Sequence, residues 1–386
     1  MTQINIIGQI LDSSGYAIHT RNLSNALSKI VDVKLTSQIF QGQERALTDK
    51  EVEMIKKKEK GEINLIITHP LYWRLHTNAK RNWVFLVWEG DRIPKSFIDE
   101  CLNEDIEYIF VPSKHTKEAI MNTVTALSIG EFDTFKGWKL DKYTLFQPTP
   151  GIMETKALVR YIEEKIRIIP HGVNLDLFYP KEKPKDKFRF LCNKGFRNLE
   201  DRGGIQYAIQ AYMEEFNSSD NVELFLKLNP AYGIPDLNKI INELKPLHKP
   251  NLPPIRISVD NISYEKLVEL YNQANVLLMP TRAESFGIPG IEAMACGLPV
   301  ITTNFGGQMD YCNESNSWII GGEMTEIKHE LAYEGVSWLT PSIPELRKVM
   351  RIAYDCKDLP EKGQNALQTA HEFTWDKTAQ KVKELI

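Results

Sequence analysis

The stretch that decides the fold is NVLLMPTRAESFGIPGIEAMACGLPVITT, residues 275–303. It opens with the apolar run Val276–Met279 and closes with a second one, Leu298–Ile301. Continuous apolar runs of this length are typical of parallel strands that are covered by helices on both faces. Between them, Pro289 favours a helix start, where its missing N–H costs nothing, and Gly297 favours a left-handed C-cap. The stretch is therefore predicted to fold as strand, loop, helix and strand.

Two carboxylates lie between these strands. Glu284 is in the predicted loop, and Glu292 is in the first turn of the predicted helix. Open α/β sheets bind ligands at the carboxyl ends of their strands. Carboxylates accept hydrogen bonds from hydroxyls, and the free N–H groups of a helix start bind anions. The stretch is therefore predicted to bind a ligand that carries both hydroxyls and negative charge.

Composition narrows the class of protein. The 386 residues are 42% hydrophobic and 25% charged, which is typical of a globular chain, and the length predicts two domains. The net charge of −4 does not indicate nucleic acid as a partner. Five scattered cysteines without CxxC spacing favour reduced thiols over disulfides or a zinc site. Neither a signal peptide nor a membrane-spanning run is apparent, so we expect a cytoplasmic location.

The first half alternates strand and helix patterns. Apolar runs at Ile4–Ile7, Ile63–Thr68, Trp83–Trp88 and Tyr108–Val111 are each followed by polar or turn residues. This alternation predicts a parallel sheet built from βα units. Residues 123–164 have no clear period, so we interpret them as an insertion or long loop. Two interpretations of that segment are equally open: it recognises an acceptor, or it is a stretch of chain that packs against the rest of the domain.

Three positions in this half are candidates for a ligand-facing edge. Gly15 ends a glycine-bearing loop after the first strand, which either holds a phosphate or makes a tight turn. The loop lacks full GxGxxG spacing, which argues against a dinucleotide site. His69 and Glu89 each follow a predicted strand. The alternatives are a capping or turn histidine before proline for His69 and a surface carboxylate near Arg92 for Glu89.

A lysine cluster, Lys56–Lys58, ends a charged helical pattern. Such a cluster binds acidic lipid headgroups when it is long enough. Because this run is short and mixed with glutamates, it favours a solvated helix face. Weak peripheral contact with the inner face of a membrane is the alternative.

The strand–helix pattern restarts after a polar, proline-bearing segment at residues 180–187. Strands are predicted at Phe188–Cys192, Val222–Leu228 and Ile255–Val259. The loop after the first of these is basic and rich in glycine, and its cations are Lys194, Arg197 and Arg202. Guanidinium groups bind phosphate oxygens in pairs, and glycines let a backbone approach a phosphate. Surface pairing with Glu200 and Asp201 is the alternative for the two arginines.

Seven residues separate Glu284 from Glu292 within ESFGIPGIEAMACGLPV. This segment resembles the E-x7-E signature of retaining nucleotide-sugar glycosyltransferases of family four. The resemblance extends to IRIIPHGVNLDLF, GGIQYAIQAY and FTWDKTAQKVKELI, at residues 166–178, 203–212 and 373–386. It implies a GT-B fold of the α/β class, with two Rossmann-like parallel-sheet domains facing a deep cleft. The implied domains are an acceptor side at 1–172, a nucleotide-sugar side at 173–370, and a final helix at 371–386 that crosses back to the first domain.

The resemblance also implies roles in donor binding. Glu292 would bind the ribose and Glu284 the transferred sugar. The N–H groups around Phe286, Gly287 and Ile288 would bind the sugar and the phosphates. Gly15 corresponds to the amino-terminal glycine loop of the family, and Asp260 and Asn261 would lie near the nucleobase.

The sequence departs from the family at two places. The lysine that precedes a glycine in the phosphate loop is replaced by Gly203, so we expect Arg202 to take its part, with Arg197 or Lys194 as the second cation. Where many members have a histidine facing the reacting sugar, this chain reads VFLVWEG. Either Glu89 or the backbone of Trp88 would occupy that place.

The implied reaction is retaining transfer of a sugar from a UDP- or GDP-linked donor to a hydroxyl of a glycan, lipid or other glycoconjugate. The expected catalytic groups are Glu284, Glu89, Arg202 and Arg197, and the acceptor-side candidates are His69, Trp88 and Glu89. No cofactor and no metal are expected, because cations take the part of the metal. The alternatives are a non-catalytic GT-B subunit that binds a sugar or a partner, a sugar phosphorylase, and a sugar-nucleotide epimerase.

Overall fold

The structure is a computed structural model. It describes residues 3–12, 14–38, 46–59, 61–128, 152–184, 186–230, 233, 235–246, 249–328 and 335–386. The chain divides into two compact units. Unit 1 comprises Met1–His171, Glu326–Ser337 and Trp375–Ile386, and unit 2 comprises Gly172–Thr325 and Trp338–Thr374.

Unit 1 contains a parallel sheet of six strands in the order β2-β1-β3-β4-β5-β6. Its elements are β1 Gln3–Gln9, α1 Gly15–Leu27, β2 Asp32–Gln38, α2 Asp49–Lys56, β3 Ile63–Ile67, β4 Arg81–Phe85, α3 Lys95–Cys101, β5 Ile106–Val111, α4 Lys114–Ser128, α5 Ile152–Lys165 and β6 Ile166–Ile168. A 3-10 helix, Pro70–Leu75, follows β3. All five residues of β3 are buried, as expected for a strand covered on both faces.

Side-chain caps fix where the helices of unit 1 begin. The Ser14 hydroxyl accepts a hydrogen bond from the N–H of Ala17 at the start of α1. Thr48 and Glu51 form a reciprocal capping box at the start of α2. These bonds satisfy N–H groups that have no partner within the helix.

The interpretation of residues 123–164 as an insertion or long loop is wrong at both ends. Helix α4 continues to Ser128, and α5 occupies Ile152–Lys165. The physical reason is tertiary. Thr123 is fully buried. Its hydroxyl accepts a hydrogen bond from the N–H of Ile93 and donates one to the carbonyl of Ile93, each at 2.9 Å. These bonds hold a β-branched residue in a helix whose local pattern does not predict it. Residues 129–151 of the segment lie outside the described residues.

Unit 2 contains a second parallel sheet of six strands, in the order β12-β11-β10-β7-β8-β9. Its elements are β7 Phe188–Lys194, α6 Ile205–Glu215, β8 Val222–Leu228, α7 Leu237–Leu244, β9 Ile255–Ser258, α8 Tyr264–Gln273, β10 Val276–Met279, α9 Ile288–Ala295, β11 Val300–Thr303, β12 Ser317–Ile320, β13 Gly322–Glu326, β14 Ser337–Pro341, α10 Ile343–Asp355 and α11 Leu359–Glu372. Strands β13 and β14 form a separate two-stranded sheet. The predicted α/β class with two parallel sheets is confirmed.

The stretch at residues 275–303 folds into the predicted strand, loop, helix and strand, but Glu292 lies in the second turn of the helix and not in the first, because α9 begins at Ile288. Strand β10 has the predicted bounds, α9 begins one residue before Pro289, and Gly297 is left-handed with φ of +72°. The returning strand, β11, begins two residues later than expected, at Val300. The stretch thus forms a strand–loop–helix unit whose strand, β10, lies inside the second sheet, between β11 and β7.

The last helix, α12 at Trp375–Lys383, belongs to unit 1. Trp375 and Val382 are buried in the same core as strand β1. Lys29 of α1 forms an ion pair with Asp376 at 2.7 Å. Arg81 of β4 donates to the main-chain carbonyl of Ile386 at 3.2 Å. The end of the chain is thus fixed to the first sheet, as the fold prediction expects.

Candidate functional site

Strand order identifies one position in unit 2 where loops separate. Counted along the chain, the six strands lie in the order 3-2-1-4-5-6, so the order reverses between β7 and β10. In such sheets, ligands bind at this switch point, beyond the carboxyl ends of the strands. The loops that follow β7 and β10 are residues 195–204 and 280–287, which include half of the predicted donor-binding residues.

These two loops are bonded tightly to each other. The carbonyl of Arg202 accepts from the N–H of Arg282 at 2.8 Å and from the Thr281 hydroxyl at 3.0 Å. Gly204 has φ of +81°, and a Cβ there would lie 1.9 Å from the carbonyl oxygen of Pro280. Only glycine permits so close an approach. The cations of one loop are therefore held at a fixed position beside the carboxylate of the other.

Two of the three predicted cations meet Glu284. Lys194, the last residue of β7, forms an ion pair with Glu284, and Arg202 Nη1 lies 3.9 Å from the same carboxylate oxygen. The side chains of Lys194 and Glu284 are only 9% and 13% exposed. Burial alone would raise the pKa of Glu284, but the charges of Lys194 and Arg202 outweigh it and lower that pKa. Glu284 is thus held as a carboxylate.

The third cation, Arg197, occupies a different environment. It lies on the exposed surface of the loop, and its backbone N–H donates to the carboxylate of Asp201 at 3.1 Å. Of the two candidates for the second cation, the structure brings Lys194, and not Arg197, to Glu284. A role for Arg197 in catalysis or donor binding stays a prediction.

The start of α9 is shaped by glycine and Tyr311. Gly287 precedes the helix with φ of +81°, and a Cβ there would lie 3.0 Å from the Tyr311 hydroxyl, which donates to the Gly287 carbonyl at 2.7 Å. Phe286 is fully buried against Tyr311, and Ile288 is the first helical residue. The first N–H groups of a helix have no partner within it, so they attract anions. The predicted donor contacts at Phe286, Gly287 and Ile288 are therefore at a helix start beside Glu284.

Glu292 is part of a buried hydrogen-bonded chain that the sequence did not indicate. The Tyr271 hydroxyl donates to Glu292 Oε2 at 2.9 Å and accepts from the Asn193 amide at 2.9 Å. Burial raises the pKa of Glu292 to about 8, although the bond from Tyr271 lowers it in part. A buried tyrosine hydroxyl almost always has a partner, and this is the signal that could have found the contact. Tyr271 fixes the orientation of the carboxylate that was predicted to bind ribose.

The predicted base-side residues follow β9. Asp260 and Asn261 are both exposed, between β9 and α8. The hydroxyl of Ser258 donates to Asp260 Oδ2 at 3.1 Å. Ser263 caps α8, accepting from the N–H of Lys266. The end of β9 thus carries polar groups.

In unit 1, strand order reverses between β1 and β3, and two predicted residues flank that position. Gly15 opens α1, and a Cβ there would meet no described atom within 4 Å. His69 precedes the 3-10 helix, and its ring packs edge-on against Phe97, with the ring centroids 5.0 Å apart. Burial lowers the pKa of His69. The side chain of His69 makes no capping hydrogen bond. The alternative of a turn histidine therefore fits its position, and the alternative of a helix cap does not.

The segment after β4 is anchored by α4. The carbonyl of Trp88 accepts from the Thr116 hydroxyl at 3.1 Å, and the carbonyl of Glu89 lies 2.8 Å from His115 Nε2. The Glu89 side chain is half-buried. Burial of Tyr16 raises the pKa of that tyrosine, and the negative charge of Glu89 raises it further. The structure thus places Glu89 near the helix that follows the glycine loop.

A buried histidine pair lies behind these residues. His19 Nδ1 and His171 Nδ1 are 2.6 Å apart, and both rings pack against Phe85 and Trp375. Burial lowers the pKa of His171 to about 3, and burial and the neighbouring His171 lower the pKa of His19. One ring donates and the other accepts. Because the pKa values of both rings are lowered, both are neutral near pH 7. Sequence reasoning missed this pair because its members are far apart in the chain.

The lysine cluster at residues 56–58 begins at the last residue of α2. Lys57 forms an ion pair with Asp32 of β2. This pairing removes part of the charge that contact with acidic lipids would use. Among the described residues, no helix combines the length and the apolar character needed to cross a membrane.

Comparison with known proteins points to one class of enzyme. Residues 257–332 match the family model of group 1 glycosyl transferases. A probable sucrose-phosphate synthase of Thermosipho melanesiensis is 29% identical over 153 residues, which cover 39% of this chain and 34% of that protein. The capsular polysaccharide biosynthesis glycosyltransferase CapM of Staphylococcus aureus is 29% identical over 205 residues, covering 46% and 51%. The chain thus spans about a third to a half of the length of these relatives.

Solved structures agree in fold over the whole chain. The sucrose-phosphate synthase of Thermosynechococcus elongatus has a TM-score of 0.63 at 18% identity, with 100% of this chain and 98% of that chain covered. Anabaena HepE in complex with UDP-glucose has a TM-score of 0.63 at 13% identity, with 100% and 99% covered. The predicted GT-B fold is confirmed, and the family comparison supports the group 1 glycosyltransferases.

Proposed function

We propose that this protein is a retaining glycosyltransferase that moves a sugar from a nucleoside-diphosphate sugar to an acceptor hydroxyl. The observation that carries the proposal is the convergence of Lys194 and Arg202 on the carboxylate of Glu284 at the start of α9. Cations beside a helix start suit a diphosphate, and a fixed carboxylate suits the hydroxyls of a sugar. The match of residues 257–332 to group 1 glycosyl transferases, with both glutamates inside it, supports the same conclusion.

In this proposal, each group of the donor has its own partner. Lys194, Arg202 and the first N–H groups of α9 bind the diphosphate. Glu284 accepts hydrogen bonds from the transferred sugar, and Glu292 accepts them from the ribose. Glu284 contacts both of these cations. Donor binding exchanges that contact for phosphate on the cations and hydroxyls on the carboxylate.

The chemical step breaks the bond between the anomeric carbon and the phosphate oxygen. The acceptor oxygen forms a new bond to that carbon on the same face, and its proton passes to the departing phosphate. Lys194 and Arg202 stabilise the negative charge that develops on the leaving group. Because two side-chain cations do this, we expect activity to persist when EDTA is present.

The acceptor side of the proposal lies in unit 1. The predicted domain 1–172 would bind a glycan, a lipid or another glycoconjugate, with His69, Trp88 and Glu89 as its candidate contacts. A cytoplasmic location and weak contact of Lys56–Lys58 with acidic lipids complete the proposal. Acceptor choice would depend on these residues, whereas donor chemistry would depend on unit 2.

The test is to incubate the protein with UDP- and GDP-sugars, with and without acceptor extracts, and to measure nucleoside diphosphate release. We expect release that depends on acceptor and that falls at least about a hundredfold in Glu284→Gln. NMR of the product is expected to show the anomeric configuration of the donor. The exposed Lys239→Met variant is the matched control and should retain full activity.

Other outcomes would favour the alternatives. Donor turnover without any acceptor would indicate an epimerase. Binding of nucleotide sugar without turnover by any acceptor would indicate a non-catalytic subunit. If no nucleotide sugar binds, and Glu292→Ala changes nothing, the glycosyltransferase proposal is wrong.

A further inference from the structure

Arg282 is a buried cation to which the proposed reaction gives no part. It lies in the loop after β10, two residues before Glu284, and is 6% exposed. Its guanidinium bonds to a main-chain carbonyl and a hydroxyl, those of Glu200 and Thr340, rather than to a carboxylate. A buried charge is costly unless it is hydrogen-bonded. The groups that surround Arg282 therefore indicate what it does.

On one side, Arg282 is bonded to the loop that carries Arg202. The N–H of Arg282 donates to the carbonyl of Arg202 at 2.8 Å, and its Nη1 donates to the carbonyl of Glu200 at 3.1 Å. The guanidinium of Arg202 in turn lies 3.9 Å from the carboxylate of Glu284. A displacement of Arg202 toward a phosphate would thus be passed to Arg282 through a main-chain hydrogen bond.

On the other side, Arg282 contacts three consecutive residues of β14. Its carbonyl accepts from the N–H of Leu339 at 3.0 Å, and its Nη2 donates to the hydroxyl of Thr340 at 3.4 Å. Its guanidinium carbon lies 5.4 Å from the centre of the buried Trp338 ring, which adds a cation–π contact. The main chain and the side chain of Arg282 therefore both fix β14 to the donor loop.

The first residue of β14 is bonded to a different loop. The boundary between the two units falls within this strand, directly after Ser337. Within unit 1, the N–H of Ser337 donates to Asp91 Oδ1 at 2.7 Å, and the N–H of Asp91 donates to the Ser337 carbonyl at 3.3 Å. A Cβ at Gly90 would clash with Val336 Cγ1, so the two segments approach closely. Residues 336–337 thus hold the loop that carries Glu89.

The part of β14 between these two sets of bonds is short and extended. Ser337 and Leu339 are two residues apart, which is about 7 Å along a strand. Each donates its main-chain N–H, Ser337 to Asp91 and Leu339 to Arg282. Trp338 lies between them and is 1% exposed. A short buried strand that is bonded at both ends cannot lengthen, so a displacement at Arg282 reaches Asp91.

We propose that β14 transmits donor binding in unit 2 to the loop that carries Glu89 in unit 1. This inference rests on the proposed function, in which a diphosphate takes Arg202 from Glu284. Arg202 then displaces Arg282, and β14 carries that displacement to Asp91. Arg282 and Asp91 are positioning residues, because they act through the strand and not on the donor or the acceptor. The Glu89 loop is thereby set for the acceptor when a donor is bound.

The test is hydrogen exchange of the full chain, with and without whichever of UDP and GDP calorimetry shows to bind. We expect the nucleotide to slow exchange in residues 195–204 and 280–287, where it binds. In residues 86–93, which include the Glu89 loop, exchange should change by at least about fivefold, the lower end of coupling between two sites.

Asp91→Ala removes the carboxylate that accepts from the N–H of Ser337. The nucleotide should still slow exchange in residues 195–204 of this variant, but the change in residues 86–93 should fall below about twofold. Asp91→Asn keeps an oxygen that can accept the same bond, so it should respond as the parent does. Asp105→Ala, which removes an exposed aspartate of the same unit, is the matched control.

Ser337→Pro is the second variant, and it decides the question if Asp91→Ala does not fold. It removes the same hydrogen bond from the other partner, and proline is tolerated at the first residue of a strand. If the nucleotide protects the donor loops of the parent but leaves residues 86–93 unchanged, the inference is wrong and the proposed function stands. A response that persists in either variant also overturns the inference, because the nucleotide then acts on unit 1 by another route. If the parent binds neither nucleotide, both the inference and the proposed function are wrong.

Discussion

Units 1 and 2 share an architecture but differ in the chemistry at the carboxyl ends of their strands. Both contain six parallel strands with helices. In unit 2, the strand ends carry fixed charges, as at Lys194 and Glu284. Unit 1 instead contains a buried pair of neutral rings, His19 in α1 and His171 after β6. The sheet determines where a ligand can bind, and the residues at the strand ends determine which ligand it is.

The two sheets also differ in where their order reverses. In unit 2 the reversal lies between β7 and β10, where two loops are bonded to each other and bear opposite charges. In unit 1 it lies between β1 and β3, where the loops bear Gly15 and His69. A charged ligand is thus expected at unit 2. Changes in the two units should therefore have separable effects.

The largest expected effect tests whether the nucleotide donor binds to unit 2. In Lys194→Met, kcat/KM should fall about a thousandfold, because the diphosphate loses a cation in a site that excludes water. Nucleoside diphosphate binding, measured by calorimetry, should weaken in parallel. The matched change in unit 1, Glu89→Gln, should alter nucleotide affinity by less than about twofold, whatever it does to the acceptor. Equal losses of nucleotide affinity in both variants would contradict the assignment of the donor to unit 2.

The second effect concerns pH in unit 2. The pKa of Glu292 stands near 8 against 4.5 for an ordinary glutamate, so the folded protein binds an extra proton between these values. Stability therefore decreases as pH rises from 4.5 to 8 and is level above that. Glu292→Gln removes this cost and should stabilise the protein by about 5 kcal/mol at pH 9, but hardly at pH 4.5. Chemical denaturation at both pH values, with Glu243→Gln on the exposed face of α7 as control, measures the difference.

Unit 1 should show the opposite slope. The pKa values of His19 and His171 are lowered, so the unfolded chain binds more protons below pH 6.5. The stability that the neutral histidine pair gives the folded protein above pH 6.5 is therefore lost as the pH falls below that value. In the double variant His19→Phe and His171→Phe, the loss between pH 7 and pH 5 should be smaller by about 2 kcal/mol for each histidine. An unchanged acid sensitivity of the double variant would show that the pair is not the cause.

The smallest effect sharpens the role of Tyr271. In Tyr271→Phe, KM for the donor should rise about tenfold with little change in kcat, because the variant loses one bond to the ribose-binding carboxylate. The Tyr271 hydroxyl also lowers the pKa of Glu292 in part, so its removal should shift the rise of donor affinity with pH to higher pH. A structural role alone would lower stability without moving that pH profile. Tyr264→Phe, at the exposed start of α8, is the control.

The sequence predicted those parts of the fold that depend on the residues of one short segment. Strand β10 and the left-handed Gly297 follow from apolar runs and backbone preferences. The helices that include residues 123–128 and 152–164 did not, because buried tertiary contacts such as that of Thr123 hold them. The class of fold could therefore be predicted better than the bounds of its elements.

The site could be predicted by residue type but not by pairing. Lys194 and Arg197 are equivalent cations in the sequence of one loop. Only the register of β7 beside β10 brings Lys194 to Glu284 and leaves Arg197 on the surface. Tyr271 carries no motif, because its importance comes from neighbours on another strand and another helix. Such contacts depend on packing across the sheet, which a single sequence does not reveal.

The position of α12 has a consequence for how the protein is made. Trp375 and Val382 complete the core of unit 1, yet they are synthesised after all of Gly172–Thr374. A chain that leaves the ribosome in order keeps the apolar surface beneath α12 uncovered until α12 itself appears, and contacts between such distant segments form slowly. The order of synthesis and the order of folding are therefore opposed. The unit that contains β1 cannot be completed until α12 has been synthesised.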